Sequence, residues 1–415
     1  MPTVAYLANQ FPSPVEPYVS DEIRELRRRG VTVIPCSARP ASIALDSDLG
    51  VLTAETLYLQ PIRLKLVIYA AFLCILKFHL LKDFFYRALL QGSEPFTRRV
   101  RALLHTWLGL YYALLIRAFH PEHIHVHHGY FSSWIAMVAA RSLGIEFSMT
   151  LHGSDLLLHP AYLDLKLKEC SFCVTISEFN RSYILERYPK IQPAKIMVRR
   201  MGVEPGNNPI KVSPGGPLTM LAVGRLHPVK DHDFLIRACR MLKDRGLPFV
   251  CLIAGDGPER VFMAELIQDL DLRDEIRLLG HLSRHQLDSR YAAADLVVLT
   301  SRSEGIPLVL MEAMVRGIPV LAPTITGIPE LVLDGKNGFL YRPGSLGDFV
   351  ARVELVHRSE SALGPLGRAA RQHVLQHFNR ETNLAAFCDL ILSLIRPTNI
   401  RPTTEHPSYE NSLLQ

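Results

Sequence analysis

Cysteine is scarce in this 415-residue sequence, which has seven, spread over positions 36, 74, 170, 173, 239, 251 and 388. The count is odd and most of these positions lie within apolar runs, which excludes the disulfide framework of a small secreted domain. Cys170 and Cys173 form a C-x-x-C pair without a second pair or a nearby histidine, so a zinc site there is disfavoured. We therefore expect reduced, buried thiols in a cytoplasmic protein.

We also expect no leader sequence, and long apolar runs are scarce. The first residues, Met-Pro-Thr-Val-Ala-Tyr-Leu-Ala, have no basic start and predict a β-strand rather than a signal peptide. Two apolar stretches, 66–76 and 106–116, have eleven residues each without a charge, whereas a membrane span needs about 20. We expect neither stretch to cross a bilayer.

Acidic residues are few in one segment of the first half. Residues 59–101 contain eight lysines and arginines against two acidic residues, an excess equal to the net charge of +6 of the whole chain. Two interpretations of residues 62–90 stay open. They form helices packed into a core, or they lie on an anionic membrane surface through an apolar face with a basic rim. No nucleic-acid partner is expected.

Short apolar, β-rich runs alternate with helical patterns along almost the whole chain, which predicts parallel α/β sheets. The alternation covers residues 1–205, stops in a Gly- and Pro-rich linker at 206–216 and restarts over 217–379. We expect two doubly wound, Rossmann-like domains, then a helix over 380–396 and a flexible polar tail over 397–415. Ligands should bind at the carboxyl ends of the strands, in the cleft between the domains.

The segment 303–314 carries the densest functional signal. Pro307 suits the first turn of a helix, where its missing N–H would have no partner, and such a helix N-terminus attracts phosphate. Glu304 and Glu312 would repel a phosphate, so we expect them to accept hydrogen bonds from sugar hydroxyls. Their spacing alone is weak evidence, because the same spacing recurs in an unrelated helix.

A second signal follows the strand that ends at Gly224. Arg225 and Lys230 lie five residues apart across a strand-to-helix turn, where both cations can converge on one diphosphate. Another strand ends at Gly255 and Gly257, where the backbone could approach a nucleotide closely. A dinucleotide fingerprint would need glycine at position 260, where this chain has arginine. That difference disfavours a nicotinamide or flavin enzyme.

Histidines mark two strand ends in the first half. Strand alternation places His123, His125 and His127 on one face, but no carboxylate is spaced to complete a zinc site. We expect His125 to be a packed core residue. His127, His152 and Asp155 lie at strand ends that should face the cleft, where they could contact the transferred group or an acceptor hydroxyl.

Together these motifs resemble the family-four retaining glycosyltransferases of the GT-B fold, and the resemblance covers nearly the whole chain. The first half is similar to the branch that builds exopolysaccharides such as colanic acid. That branch has a Phe-Pro-x-x-Ser-Glu-Thr-Phe-Ile motif, echoed at residues 11–19, and a His-x-His-x-His strand, echoed at 123–127. The motifs of the second half are Gly224-Arg225 with Lys230, Gly255-Asp256-Gly257-Pro258, Gly280-His281-Leu282, Ser303-Glu304-Gly305 through Glu312, and Thr326-Gly327-Ile328-Pro329-Glu330.

The resemblance implies a role for each donor-site residue. Arg225 and Lys230 would hold the donor diphosphate without a metal or other cofactor, Glu312 the ribose hydroxyls and Glu304 the donor sugar. The implied reaction is retaining transfer of a hexose from a UDP- or GDP-sugar to a saccharide or a lipid-linked saccharide. The leaving diphosphate would help to deprotonate the acceptor. The other implied donor-binding residues are Gly224, Gly255, Gly257, His281, Leu282, Gly305, Ile306, Pro307 and Leu308.

Two other functions fit the same residues. A nucleotide-sugar epimerase shares the fold and would turn over the donor without an acceptor. A non-catalytic sugar-nucleotide binder is disfavoured, because every expected donor residue is present. For the exopolysaccharide branch, the resemblance implies a cytoplasmic protein that works at the inner face of the cytoplasmic membrane.

Overall fold

The computed structural model describes residues 2–13, 16–40, 47–91, 94–158, 160–205 and 216–395. Nearly all of the predicted linker and the whole predicted tail lie outside these residues. A seven-stranded and a six-stranded parallel sheet, each flanked by helices, confirm the predicted α/β class.

The first sheet lies in the first half of the chain and is parallel throughout. Its strands are β1 (Thr3–Gln10), β2 (Thr32–Arg39), β3 (Leu57–Tyr58), β4 (His123–His127), β5 (Glu146–Leu151), β6 (Cys173–Thr175) and β7 (Ile196–Val198). They follow the order β3-β2-β1-β4-β5-β6-β7. The winding reverses between β1 and β4, which opens a crevice at the carboxyl ends of these two strands.

The helices of the first half cover both faces of this sheet, so its central strands are buried on both sides. These helices are α1 (Pro17–Arg28), α2 (Ser47–Glu55), α3 (Leu64–Leu76), α4 (Phe78–Leu89), α5 (Phe96–Ile116), α6 (Phe131–Leu143), α7 (Ser154–Leu157), α8 (Leu163–Glu169) and α9 (Glu178–Arg187). Helix α1 buries Val19, Ile23 and Leu26, which lie three or four residues apart on one face.

The second sheet repeats this plan. Its strands are β8 (Leu218–Val223), β9 (Phe249–Ala254), β10 (Ile276–Gly280), β11 (Leu296–Val298), β12 (Val320–Pro323) and β13 (Phe339–Tyr341), in the order β10-β9-β8-β11-β12-β13. The helices are α10 (His232–Asp244), α11 (Arg260–Asp269), α12 (Arg284–Ala293), α13 (Leu308–Val315), α14 (Ile328–Leu331), α15 (Leu346–Arg358), α16 (Glu360–His377) and α17 (Arg380–Leu394). The winding reverses between β8 and β11, so a second crevice opens there.

Helix α17 returns from the second half of the chain to the first. Val203 and Asn379 form a β-bridge where the two crossing segments meet. Beyond it, Phe387 and Ile391 pack into the core formed by β1 and α1. The carboxyl ends of both sheets therefore share one cleft, closed at one end by this crossing.

Helix α5 and its 3₁₀ extension, Phe96–Phe119, are long and apolar enough to cross a membrane by length and composition. Half of the apolar window is buried inside the protein, where Leu110, Tyr112 and Ile116 belong to the first core. The apolar stretch 106–116 is therefore a core element. Helices α3 and α4, in contrast, meet at a 90° bend and expose much of their apolar surface.

Candidate functional site

A cavity of about 390 Å³ occupies the cleft between the two sheets. His152 lines it from the first half of the chain, and Leu308 and Glu312 line it from the second. Arg225 and the pair of Lys230 and Glu304 do not line this cavity. The structure therefore divides the predicted site into an enclosed part and a part beside the cavity.

Lys230 and Glu304 contact each other directly, although 73 residues separate them in sequence. The Lys230 Nζ donates to Glu304 Oε1 at 2.6 Å, and both side chains are largely buried. Lys230 ends a 3₁₀ turn, and its carbonyl accepts a hydrogen bond from Thr300 at the end of β11. The strand end thus fixes the turn that carries the predicted phosphate-binding cation. Arg225 lies exposed three residues before this 3₁₀ turn.

The glycines of the loops that follow β8 and β9 are required by contacts between these loops. Gly255 has φ +145°, and a Cβ atom there would lie 1.9 Å from the carbonyl oxygen of Gly224. A Cβ atom at Gly257 would lie 2.4 Å from the carbonyl oxygen of Leu226. Both positions must therefore be glycine for the two loops to pack, whether or not a nucleotide approaches them.

The loop of Glu304 and Gly305 touches the first half of the chain. A Cβ atom at Gly305 would lie 2.1 Å from the carbonyl oxygen of His152, and one at Gly153 would lie 2.9 Å from the amide of Gly305. The two loops are in backbone contact across the cleft. This contact brings the predicted sugar-binding carboxylate and the predicted cleft histidine to one place.

Helix α13 begins at Leu308, one residue later than the sequence analysis expected. Pro307 is extended (φ −74°, ψ 123°) and precedes the first turn as its cap residue. Ile306 and Pro307 are buried, so they shape the turn through packing. The helix N-terminus begins at the cavity, where Leu308 lines the wall.

Glu312 lies just over one turn inside α13 and accepts a hydrogen bond from the hydroxyl of Tyr291 at 2.8 Å. Burial raises the pKa of this carboxyl above its usual value, although the Tyr291 bond opposes the rise. His281 is exposed and Leu282 half-buried at the end of β10. Gly280, just before them, accepts a hydrogen bond from the amide of Gly255 at 2.8 Å.

His127 lies at the end of β4, fully buried, and connects the cleft to a carboxylate that the sequence analysis missed. Its Nε2 lies 2.9 Å from Glu22 Oε2 and its Nδ1 lies 3.0 Å from His152 Nε2. Tyr6 also donates to Glu22 through a short hydrogen bond. The sequence did carry a signal, since Glu22 occupies the apolar face of α1 beside Ile23.

The expectation that Asp155 faces the cleft is wrong. Its side chain is fully buried, and its two oxygens accept hydrogen bonds from backbone amides of His152, Gly153 and Gly129. Burial opposes ionisation, but the imidazolium of His128, 3.7 Å away, and these amides hold the pKa of Asp155 well below its usual value. The carboxylate is occupied in shaping the loop around His152.

The sequence analysis also missed a second buried pair of a histidine and a carboxylate, His128 and Glu16. His128 adopts a left-handed conformation with φ +70°, and its Nε2 lies 3.0 Å from Glu16 Oε1. Burial alone would lower the pKa of His128, but Asp155 and Glu16 raise it to about 10. Glu16 was visible in sequence, because it occupies the Glu position of the motif echoed at residues 11–19.

The expectation that no carboxylate accompanies the strand histidines is also wrong. Glu22, His125 and His127 each offer a ligand atom within 4.8 Å of the others. However, the two ring nitrogens of His125 already contact the hydroxyls of Ser148 and Thr150, at 2.8 and 3.1 Å. Glu22 and His127 bond to each other. Hydrogen bonds thus satisfy these groups without an ion, and His125 is the packed core residue that was expected.

Two family models match the chain and together cover residues 15–373. The model described as Glycosyltransferase Family 4 matches residues 15–206, and the model described as Glycosyl transferases group 1 matches residues 206–373. The first half of the chain thus matches a family-four glycosyltransferase model, and the second half matches a group 1 glycosyl transferase model. The two matches meet within the segment between the sheets.

Curated relatives match about half of the chain. WcaL of Salmonella typhimurium, named as a colanic acid biosynthesis glycosyltransferase, is 37% identical over 46% of this chain and 49% of its own length. AmsK of Erwinia amylovora, named as an amylovoran biosynthesis glycosyltransferase, is 34% identical over 45% of this chain and 48% of its own length. The chain thus spans about half the length of the curated relatives that it matches.

Solved structures of the same architecture match over nearly the full length. Sucrose-phosphate synthase from Thermosynechococcus elongatus is 18% identical with a TM-score of 0.70, covering 95% of this chain and 99% of its own. Anabaena Alr3699/HepE, solved in complex with UDP and glucose, is 19% identical with a TM-score of 0.68, covering 95% and 100%. These matches establish the GT-B fold, as predicted.

Proposed function

We propose that this protein is a retaining glycosyltransferase of exopolysaccharide synthesis. It would transfer a hexose from a UDP- or GDP-sugar to a saccharide or a lipid-linked saccharide. The observation that carries the proposal is the backbone contact of the Glu304-Gly305 loop with the His152-Gly153 loop, beside the ion pair of Lys230 and Glu304. A donor cation, a sugar-binding carboxylate and a cleft histidine converge there, as transfer between two bound sugars requires.

The relatives support the same reaction class. WcaL and AmsK are named for colanic acid and amylovoran biosynthesis. A structure of the same fold contains UDP and glucose. Sugar transfer within exopolysaccharide synthesis is the activity shared by these names and by the motifs of this chain.

The donor would bind by exchanging one ion pair for another. Lys230 bonds to Glu304 in the structure, so an incoming diphosphate would compete for the ammonium and release the carboxylate. Glu304 would then accept hydrogen bonds from the donor sugar hydroxyls, while Arg225 adds a second cation for the diphosphate. Glu312, already bonded to Tyr291, would bind the ribose hydroxyls with its free oxygen.

The proposed transfer step would need no metal, because the two substrates supply every atom that changes its bonds. The bond between the anomeric carbon and the diphosphate oxygen breaks, and the acceptor oxygen bonds to the same face of that carbon. The acceptor's proton passes to the departing diphosphate oxygen. Lys230 and Arg225 would stabilise the charge that develops on this leaving group, as preorganised cations do.

A panel of labelled nucleotide sugars, with and without a lipid-linked acceptor, tests the proposal. Transfer of label to the acceptor only when both substrates are present is the expected result. Turnover of the donor without an acceptor would instead indicate an epimerase. Tight binding without any turnover would indicate a non-catalytic binder.

We also propose that the protein works at the cytoplasmic face of a membrane, bound through helices α3, α4 and the start of α5. Most of the large apolar side chains exposed on the described residues lie between positions 62 and 104. Leu64, Ile68, Phe72 and Ile75 form one stripe along α3, spaced three or four residues apart, with 53–75% of each side chain exposed. An exposed apolar surface of this extent is typical of a membrane or protein contact.

Charge favours an anionic membrane as the partner. Arg63, Lys65 and Lys82 are exposed beside the apolar stripe, and each could contribute about 1 kcal/mol near such a surface. Not every basic residue of this segment is available. Lys77 donates to the carbonyl of Ser142 at 2.6 Å, and Arg87 pairs with Glu94 at 2.8 Å.

Vesicle co-sedimentation tests the membrane proposal. We expect binding to anionic vesicles that is weakened by salt, by joint replacement of Arg63, Lys65 and Lys82 with Gln, and by Phe72→Ser. Phe262→Ser is the matched control, since Phe262 is exposed on α11 of the second half. Wild-type protein left entirely in the supernatant at low salt would contradict the membrane proposal, and the donor-site proposal would stand.

A further inference from the structure

An unbroken line of hydrogen-bonding groups connects helix α1 to the cleft. It begins at Glu22, which is buried, and passes through the fully buried His127 to His152. The two contacts are 2.9 and 3.0 Å between the polar atoms. The three side chains come from segments that are distant in sequence, namely α1, the end of β4 and the residue after β5. Tertiary packing therefore brings them together.

The chemistry of the carboxylate sets the direction of every bond in this line. An ionised carboxylate only accepts, so the Nε2 of His127 must donate to Glu22. The Nδ1 of a neutral His127 then carries a lone pair and accepts from the Nε2–H of His152. This leaves the proton of His152 on Nε2 and a lone pair on its Nδ1.

The Nδ1 of His152 is the end of the line and has no protein partner. It is shielded from solvent and makes no hydrogen bond to any described residue. The side chain of His152 lines the cleft cavity, next to the loop of Glu304 and Gly305. A buried acceptor without a partner is costly, so this nitrogen is suited to a group that arrives with the substrate.

His152 is also disposed to remain neutral. Burial, and then the charge of His128, lower its pKa well below the usual value. A neutral ring with its proton already placed on Nε2 offers one acceptor to the cleft. Hydroxyl groups of sugars are donors of the matching kind.

We infer that Glu22 and His127 are positioning residues that fix the tautomer of His152, so that its Nδ1 accepts a hydrogen bond from a sugar hydroxyl in the cleft. The inference deepens the proposed function and rests on it for the identity of the ligand. Glu22 also lines the cavity, but the role inferred for it here is the one it exerts on His127. It acts through two histidines, as the orienting carboxylate of a hydrolytic triad acts through one.

The tautomers can be measured without any activity. In wild-type protein labelled with ¹⁵N-histidine, we expect the resonances of His127 and His152 to show protonated Nε2 and unprotonated Nδ1, with assignment through His152→Gln. In Glu22→Gln the amide can donate as well as accept, so we expect both histidines to become tautomeric mixtures. A protonated Nδ1 on His152 in the wild type would overturn the inference.

Kinetics supply the second measurement. Glu22→Gln should lower kcat by about tenfold or more, because the carboxylate that orients the two histidines is lost. The KM for the nucleotide sugar should stay within about twofold of wild type. Glu25→Gln is the matched control on the same helix, where Glu25 pairs with Arg28 and Arg29 at the surface. It should change neither kcat nor the tautomers.

Tyr6→Phe separates orientation from packing. It removes a hydroxyl that donates to Glu22 and lies 3.1 Å from the Nε2 of His127, but it leaves the bond of Glu22 to His127. Because Glu22 still fixes the proton on that Nε2, tautomers and kcat should stay close to wild type. If Tyr6→Phe lowers kcat as far as Glu22→Gln while the tautomers stay fixed, Glu22 acts through packing and the inference fails. If no nucleotide sugar is turned over, the proposed function fails, and the wild-type tautomers still decide this inference.

Discussion

The two sides of the cleft are built in different ways. On the side of the second sheet, Lys230 and Glu304 stand in loops that follow strands, and Glu312 stands in the helix after one of these loops. Their side-chain contacts are few: Lys230 with Glu304, and Glu312 with Tyr291. On the side of the first sheet, the candidate residues are buried in a network that joins segments more than 100 residues apart, as His127 and Glu22 do. The first kind of site is encoded in local motifs. The second kind depends on how distant segments pack.

The difference has a functional consequence. A diphosphate brings two negative charges and a polar surface, so a few cations and a helix N-terminus at the mouth of a cleft are sufficient to bind it. A neutral hydroxyl offers much weaker interactions. Its recognition needs an acceptor held in one orientation and one protonation state, which a buried network provides.

The largest expected effect is on the second side of the cleft. Lys230→Ala should lower turnover by about 2–4 kcal/mol of transition-state stabilisation, because the leaving diphosphate loses a preorganised cation. Lys243→Ala, at an exposed ion pair of α10, is the control and should leave turnover unchanged. Steady-state kinetics with a labelled donor measure both. Wild-type affinity and turnover in Lys230→Ala would remove this residue from the donor site.

Glu304→Gln and Glu312→Gln should differ in what they lose, because an amide offers one acceptor oxygen where a carboxylate offers two. Glu304→Gln should lose turnover by about 1.5–3 kcal/mol, the range for hydrogen bonds to charged groups, and still bind free nucleoside diphosphate. Glu312→Gln should weaken the binding of both the donor and the free diphosphate.

Calorimetry with the donor and with free nucleoside diphosphate separates the two variants. Glu186→Gln, an exposed carboxylate on α9, serves as the control. Equal losses in Glu186→Gln and Glu304→Gln would show that the assigned roles are wrong.

Gly305→Ala tests the contact between the two sides. The added Cβ atom would lie 2.1 Å from the carbonyl oxygen of His152, so the loops must separate at a cost of about 1–3 kcal/mol. We expect lower kcat with little change in the binding of free nucleoside diphosphate. Gly347→Ala has nothing within 4 Å of its Cβ atom and should behave as wild type. Unchanged turnover in Gly305→Ala would mean that the sides need not touch.

The smallest effect on turnover, and a clear one on stability, is expected from His128→Asn. Asparagine tolerates the left-handed backbone at this position. Because the folded protein raises the pKa of His128 from 6.5 to about 10, the imidazolium stabilises the fold fully below pH 6.5 and loses this contribution as pH rises towards 10. The difference in Tm between wild type and variant should therefore shrink between pH 6.5 and 10. A difference independent of pH would mean that His128 is not held as a cation.

The sequence by itself determined the parallel α/β sheets and the strand ends that carry the candidate residues of the second half. Hydrophobic runs of strand length predict strands, and a turn that follows a strand keeps its residues at the carboxyl edge, so Arg225, Lys230 and Glu304 needed no tertiary information. The sequence could not decide between the two interpretations of the apolar segment 62–90, because that choice depends on tertiary packing. A helix with apolar residues on several faces does not reveal which face is covered, and only packing against α4 and α5 left the stripe of α3 exposed.

Only the tertiary structure decided the first side of the cleft. Asp155 lies at a strand end like the other candidates, yet the loop turns its carboxylate inward to bind backbone amides. Glu22 lies 105 residues from His127, and no spacing rule connects them. Their contact arises because α1 packs beside the carboxyl ends of β1 and β4. Local sequence specifies which groups stand at a strand end, whereas the packing of distant elements specifies what those groups touch and therefore which protonation state they adopt.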